Sequence, residues 1–285
     1  MNYEIQTCVI EITEKCVNKC VGCFANKSPK EMSMETFSKI LERLPVTKTV
    51  TISGGEPFMH PNLCEMVRKI KEKGSYAGII TSGAIFSEET MNGLKNNVDM
   101  LFVTIKYPNA TDNYWKNNKK AFENALKLLE YCRDNKVPIG INWCVDKLNV
   151  KYFLPMVELS KKYGATLHLL RFLPYSEVFK KIFLDEKRWN KLCKIAMKYG
   201  CAISFPSKYD NYICHAGINR IGITVEGNVK PCLYIDHSVG NILNEEWSSI
   251  KNKLYKWRLE RKDIKGCIVL GKKSKLNFIK KILFS

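Results

Sequence analysis

From residue 5 to residue 172, short β-branched runs and helical periods take turns along the chain. Strand-like segments fall at 5 to 12, 48 to 53, 76 to 81, 98 to 105, 137 to 145 and 165 to 172. Helix-like segments at 33 to 44, 61 to 73, 87 to 96, 117 to 135 and 150 to 163 lie between them. The second strand begins after Pro45, and Gly74 and Gly164 stand where helices should stop. A strand, a crossover helix and the next strand join as a parallel right-handed unit. Six such strands therefore predict an α/β fold built as an open or closed barrel.

From about residue 185 the rhythm changes. A helix over 185 to 199 ends at Gly200, and a short strand follows at 201 to 205. ITVEGNVKPCLY reads as a hairpin turning at Glu226-Gly227-Asn228, and a last helix starts near Asn244. The expected organisation is a barrel over 1–183, a small cysteine-bearing module over 184–268 and a basic amphipathic tail over 269–285. With 285 residues, 45% of them hydrophobic, the chain can bury a core of that size.

Twelve cysteines are many for this length. No basic segment followed by an apolar one opens the chain, and no apolar run approaches the roughly 18 residues of a membrane span. The expectation is a cytoplasmic protein with reduced thiols, in which clustered cysteines serve as metal ligands or catalytic groups. The net charge of +18 invites nucleic acid as a partner. Against that, most basic residues sit on the solvent side of amphipathic patterns such as 119 to 136 and 156 to 163. Arg261, Lys262, Lys265, Lys272, Lys273, Lys275, Lys280 and Lys281 form one denser cluster, with Leu276, Phe278, Ile279, Ile282, Leu283 and Phe284 among them. Such a tail is expected to stay disordered or pack on itself, with a peripheral contact to an anionic membrane surface as the alternative.

EKCVNKCVGCF places Cys16, Cys20 and Cys23 after the first strand. Three thiols are one short of a closed structural zinc site and odd for disulfides. Their spacing would put them on one helix face, but Gly22 and the polar flanks favour a loop at the strand's C-terminal mouth, where barrel enzymes place their chemistry. Three thiolates can hold a cubane iron–sulfur cluster by three of its irons, leaving the fourth open to a ligand that is not protein. TVTISGGEPFMHP then ends the second strand in Gly54-Gly55-Glu56-Pro57. The glycines allow a close backbone approach to a ligand, and the Glu56 carboxylate can accept from an ammonium group.

CxxxCxxC after one strand and GGEP after the next make the chain strongly resemble the radical S-adenosylmethionine (radical SAM) superfamily. The resemblance implies a partial (β/α)6 TIM-like barrel, with Cys16, Cys20 and Cys23 as ligands of a 4Fe–4S cluster. Gly54, Gly55 and Glu56, with Pro57, match the stretch that binds the methionine amino group of SAM, and Phe24, Ser82, Thr104 and Asn142 are further expected cofactor contacts. It also implies reductive cleavage of SAM to a 5′-deoxyadenosyl radical and an electron donor such as flavodoxin or ferredoxin. Two departures stand out. Gly22 replaces the aromatic residue that often precedes the third cysteine, with Phe24 following it. Thr104-Ile105-Lys106 replaces a Ser-x-Asp pattern; Thr104 still offers a hydroxyl to the ribose, whereas Lys106 cannot accept.

Cys214, Gly227 and Cys232, followed by Gly240-Asn241-Ile242 and NEEWSSI, resemble the opening of an α+β SPASM or twitch module. This implies an auxiliary iron–sulfur cluster on Cys214, Cys232 and Cys267, although the cysteine-rich run of full SPASM modules is reduced here to Cys267 alone. His215, Cys201, Cys193, His237 or the substrate are the candidates for a fourth ligand, and zinc or plain packing is the alternative. Cys8, Cys64, Cys132 and Cys144 read as core residues, Cys144 also as a hydrogen-atom donor near the fifth strand's mouth. Asn142, His168 and Arg171 are the candidate substrate contacts, Arg171 because a guanidinium on the apolar strand LHLLRF requires an anionic or carbonyl partner.

Three functions are consistent with these features. The first is radical oxidation, epimerisation or cyclisation of a small polar metabolite. The second is modification of a peptide or protein side chain. It is weakened by a first strand starting near residue 5, without the extra N-terminal peptide-binding domain often found in such relatives. The third is a non-catalytic iron–sulfur or nucleic-acid-binding protein, against which the intact CxxxCxxC and GGEP speak.

Overall fold

A computed structural model describes residues 4–20, 22–110, 119–174, 177–204, 214–262 and 266–270. The basic tail from residue 271 lies outside them.

Six βα repeats appear as the alternation predicts. Strands β1 (Ile5–Thr13), β2 (Thr47–Gly54), β3 (Tyr76–Thr81), β4 (Met100–Thr104), β5 (Ile139–Val145) and β6 (Thr166–Arg171) pair in sequential parallel order. Between them run α1 (Met34–Arg43), α2 (Leu63–Glu72), α3 (Glu88–Leu94), α4 (Lys119–Asp134) and α5 (Phe153–Lys162). Two helix starts, those of α1 and α3, are fixed by side-chain caps: Ser33 accepts from the Thr36 N–H at 3.1 Å and Ser87 from the Thr90 N–H at 3.2 Å. At the other ends, Gly74 (φ +80°) and Gly164 (φ +63°) turn the chain out of α2 and α5 in the left-handed region. Each helix buries one stripe. In α2, Leu63, Met66, Val67 and Ile70 follow the i, i+3, i+4, i+7 spacing, and each is worth about 1.5–3 kcal/mol when fully buried.

Residue parity sorts the strands into two faces. Cys8, Ile10, Val50, Ile52, Ala77, Ile79, Leu101, Val103, Ile141, Trp143 and Leu169 are wholly buried, beneath the helices. The opposite, inner face carries Glu11, Ser53, Ile80, Phe102, Thr104, Gly140, Asn142, Cys144 and His168 in register from β1 to β6. This face is concave. Phe102 of β4 touches His168 of β6 edge-on, centroids 5.0 Å apart, because Gly140 between them has no side chain: a Cβ there would lie 3.0 Å from both rings.

The later chain returns to the same sheet at both edges. After α6 (Glu177–Lys180) and α7 (Glu186–Lys198), β7 (Ala202–Ser204) pairs in parallel with β6. Strand β8 (Arg220–Ile223) pairs in parallel with β1 and antiparallel with β9 (Asn228–Lys230), which carries β10 (Gly240–Asn241); α8 (Trp247–Leu259) follows. The hairpin over 220–230 matches the sequence reading, with Gly227 at φ +80° in its turn. The pairing of β7 and β8 with barrel strands was not legible, because local sequence does not say which distant edge a strand joins. No helix among the described residues is long and apolar enough to cross a membrane.

Candidate functional site

Two strand ends meet backbone to backbone where β1 and β2 leave the sheet. The Gly55 N–H donates to the Thr13 carbonyl at 2.6 Å and the Glu56 N–H to the Lys15 carbonyl at 2.8 Å. A Cβ on Gly54 (φ +130°) would lie 2.3 Å from the Thr13 oxygen, and one on Gly55 2.1 Å from the Lys15 oxygen. Only glycine fits at either position. The glycine turn is thus fused to the root of the cysteine loop.

On that loop Cys16 and Cys20 are half-buried and Cys23 is exposed. Lys27 gathers them electrostatically. Burial would lower its pKa, but the hydrogen bond to Cys16 and the charges of Cys23, Cys16 and Cys20 outweigh that and hold it above the ordinary lysine range. Among the described residues no three His, Cys, Asp or Glu side chains converge tightly enough for a single metal ion. Three thiols that all act on one cation, Lys27, are a donor set that suits a cubane held by three of its irons.

Glu56 differs from the expectation of a free acceptor. Its carboxylate is fully buried and filled by donors of the chain itself. The Phe58 N–H donates at 3.2 Å, Thr81 Oγ1 at 2.5 Å and the Ser82 N–H at 2.9 Å, and Ser82 Oγ donates as well. Pro57, buried, starts the short 3-10 turn that Glu56 caps. Glu56 therefore ties the end of β2 to the end of β3 and leaves Gly54 and Gly55 half-exposed beside it.

Thr104 and Asn142 are register partners on the inner face, as their candidate roles require. Farther along, burial holds His168 below the ordinary histidine range, and its Nε2 is buried without a hydrogen-bond partner. Cys144, at the same face, is pushed up to about 12 by burial. Arg171 requires a correction. It lies three positions from His168, hence on the opposite face of a period-two strand, and is 2% exposed beneath α7. Its partners are Glu186 at 2.7 Å and the Leu184 carbonyl at 2.7 Å, so the anion it needs is internal, and it does not face the barrel interior. Sequence reading missed Glu11, the inner-face carboxyl of β1. Burial pushes it up to about 7, with Lys230 opposing and Glu14 reinforcing. The available signal was a lone charge in the apolar run CVIEI.

The second cysteine group comes together as read. Cys214, Cys232 and Cys267 line one cavity with His215, Arg220 and Tyr234. A hydrogen bond from Cys267, aided by the Ile268 and Ala216 N–H groups, pulls Cys214 down to about 5 against its burial; the same bond and burial push Cys267 up. Burial raises Cys232 to about 11. Of the proposed fourth ligands only His215 lines this cavity. Cys193 is buried in α7 near Arg171, Cys201 precedes β7 at the far edge of the sheet, and His237 is exposed. Tyr234 joins the two cysteine groups: its ring lies 4.5 Å from that of Phe24, the residue after Cys23.

This geometry agrees with what the chain is similar to. A probable GTP 3′,8-cyclase of Methanocaldococcus jannaschii is 25% identical over 268 residues, covering 84% of this chain and 89% of that protein. The antilisterial bacteriocin subtilosin biosynthesis protein AlbA of Bacillus subtilis is 24% identical over 262 residues, 85% of this chain and 58% of that one. Among solved structures, native anSMEcpe with bound AdoMet superimposes with a TM-score of 0.71 at 19% identity, covering 93% of this chain and 89% of that chain. SuiB of Streptococcus suis bound to precursor peptide SuiA gives 0.71 at 16%, covering 87% and 65%. Both likenesses establish the fold, a partial TIM-like barrel. The radical SAM superfamily model matches residues 10–159, just over half of the chain and the whole span from the cysteine loop through α4, and the chain belongs to that superfamily of 4Fe–4S and SAM-dependent enzymes.

Proposed function

We propose that Cys16, Cys20 and Cys23 hold the 4Fe–4S cluster, and that SAM lies against Gly54 and Gly55 with Phe24, Ser82, Thr104 and Asn142 around it. The carrying observation is the backbone lock between Gly55 and Thr13 and between Glu56 and Lys15, which holds a ligand edge at a fixed distance from the cysteine loop. When bound, the cluster and SAM supply a 5′-deoxyadenosyl radical that takes a hydrogen atom from the substrate. The chain's part is to orient and enclose. The concave inner face gives the substrate a polar wall of Thr104, Asn142, His168 and Glu11, and the closed apolar layer behind it excludes water. Exposed Cys23 is the side on which an electron donor such as flavodoxin or ferredoxin can approach.

We read the substrate as a small polar metabolite, on the support of that polar wall and of relatedness along 89% of a GTP cyclase. The second reading is a peptide, favoured by the likeness to AlbA and to peptide-bound SuiB. We read residues 184–268 as a twitch-like module with Cys214, Cys232 and Cys267 holding an auxiliary cluster, supported by their shared cavity. The test is anaerobic reconstitution, reduction and measurement of 5′-deoxyadenosine, first alone and then with pooled nucleotides or peptides. No 5′-deoxyadenosine from the reconstituted wild type sinks the cofactor assignment, and stimulation by peptides alone replaces the first substrate reading with the second.

A further inference from the structure

Asn18 stands between the first two cysteines of the loop, and no role above depends on it. It is 8% exposed, in a segment without helix or strand. A buried amide in such a place needs partners. Its Nδ2 donates to Ser82 Oγ at 2.8 Å. That hydroxyl has one proton, which it donates to a Glu56 oxygen, and the Ser82 N–H reaches the same oxygen at 2.9 Å. The Glu56 N–H closes the circuit on the Lys15 carbonyl at 2.8 Å. A ring of hydrogen bonds thus runs from the root of the cysteine loop through the ends of β2 and β3 and back to the loop's middle.

We propose that Asn18 is a positioning residue: through Ser82 it sets the height of the cysteine loop over the Gly54–Gly55 edge, and so the distance from the cluster to the amino-acid end of SAM. This rests on the assignment of those cysteines and glycines made above. An amide suits the task because it brings a donor to a hydroxyl whose own proton is spent. Aspartate would instead set a second carboxylate beside Ser82 Oγ and Glu56, with no proton left between them.

The experiment compares wild type, Asn18→Ala, Asn18→Asp, Ser82→Ala, Ser82→Thr and the Asn18→Ala/Ser82→Ala double variant. Three quantities are read: iron and sulfide per reconstituted chain, SAM affinity from its perturbation of the reduced cluster's EPR signal, and hydrogen exchange of amides 14–20 in the metal-free protein. Loss of one neutral side-chain hydrogen bond predicts SAM binding weakened about five- to tenfold in Asn18→Ala, with iron content kept. Asn18→Asp should be worse, Ser82→Thr should bind SAM more tightly than Ser82→Ala because it keeps the hydroxyl, and the double variant should be no weaker than the weaker single one. Exchange should quicken in the loop and not in the sheet. SAM affinity and exchange in Asn18→Ala equal to wild type overturn the proposal, as do additive losses in the double variant. If Asn18→Ala takes up no cluster, the apo protein decides: faster exchange confined to the loop supports the role, and faster exchange throughout the sheet overturns it. A wild-type cluster indifferent to SAM would instead refute the site assignment itself.

Discussion

The two cysteine groups are built in opposite ways. Cys16, Cys20 and Cys23 sit on a loop held from outside, by the Gly54–Gly55 contact, the Asn18–Ser82 bond and the buried Glu56. Cys214, Cys232 and Cys267 line a cavity in which the sulfurs themselves are the contacts, Cys267 hydrogen-bonding to Cys214. The front group has a frame that does not need its sulfurs; in the rear group the sulfurs belong to the frame. A site that must admit a cofactor and release products gains from the first construction, and a site that only stores or passes an electron can use the second.

The largest expected effect tests that contrast. Replacing Cys16, Cys20 or Cys23 by Ala should lower 5′-deoxyadenosine formation by more than about 10³-fold while leaving the metal-free protein's melting temperature within a degree or two. Replacing Cys214 by Ala should do the reverse. On the proposed auxiliary-cluster assignment it lowers the iron content per chain; it also leaves Cys267 without its partner and costs about 1–3 kcal/mol of stability, with SAM cleavage kept within a few-fold. Iron quantitation, calorimetry and product assay on the same samples decide, and a Cys214→Ala variant unable to cleave SAM would erase the contrast.

The frame itself is probed next. Gly55→Ala drives a Cβ into the Lys15 carbonyl, where no side chain can give way. The turn must separate from the cysteine loop, and SAM binding should weaken at least about tenfold, accompanied by a drop in melting temperature. Gly74→Ala is the control. Nothing lies within 4 Å of its Cβ, so only the positive φ is strained, at about 1–2 kcal/mol, and SAM binding stays unchanged. Equal loss of SAM binding in the two variants would show that the lock is ordinary helix-end geometry and not part of the site.

Much of this was legible in the sequence because it is written in periods and spacings. The βα alternation placed β1 to β6 within two residues of their observed limits, and the cysteine spacing with GGEP pointed to the superfamily. What escaped was set by pairs distant in sequence. Nothing near Glu56 announces that Thr81 and Ser82 will saturate it, so its carboxylate read as a ligand contact. Arg171, expected among the substrate contacts, has the opposite parity to His168 on the same strand, and its anion, Glu186, lies on the helix that packs over it. Glu11 carried the same signal as Arg171, a charge in an apolar strand, and here the charge does face the interior.

Glu11 gives the smallest effect and connects the two groups, since β1 carries the front loop at its end and pairs with β8, which leads into the rear hairpin. Its folded pKa near 7 stands above the ordinary value of 4.5. Below pH 4.5 the group is neutral folded and unfolded, and nothing is lost. As pH rises toward 7 the unfolded chain releases this proton while the folded one keeps it, so stability falls across that window and levels off above it. Glu11→Gln stays neutral throughout. The variant should therefore match wild type near pH 4.5 and exceed it at pH 8 by about 1–2 kcal/mol, or roughly 2–6 °C in melting temperature, after discounting for partial solvation. A melting difference that stays constant from pH 4.5 to pH 8 would mean that Lys230, reaching Glu11 from β9, already neutralises it; the rear hairpin would then be setting the charge on the front barrel's inner wall.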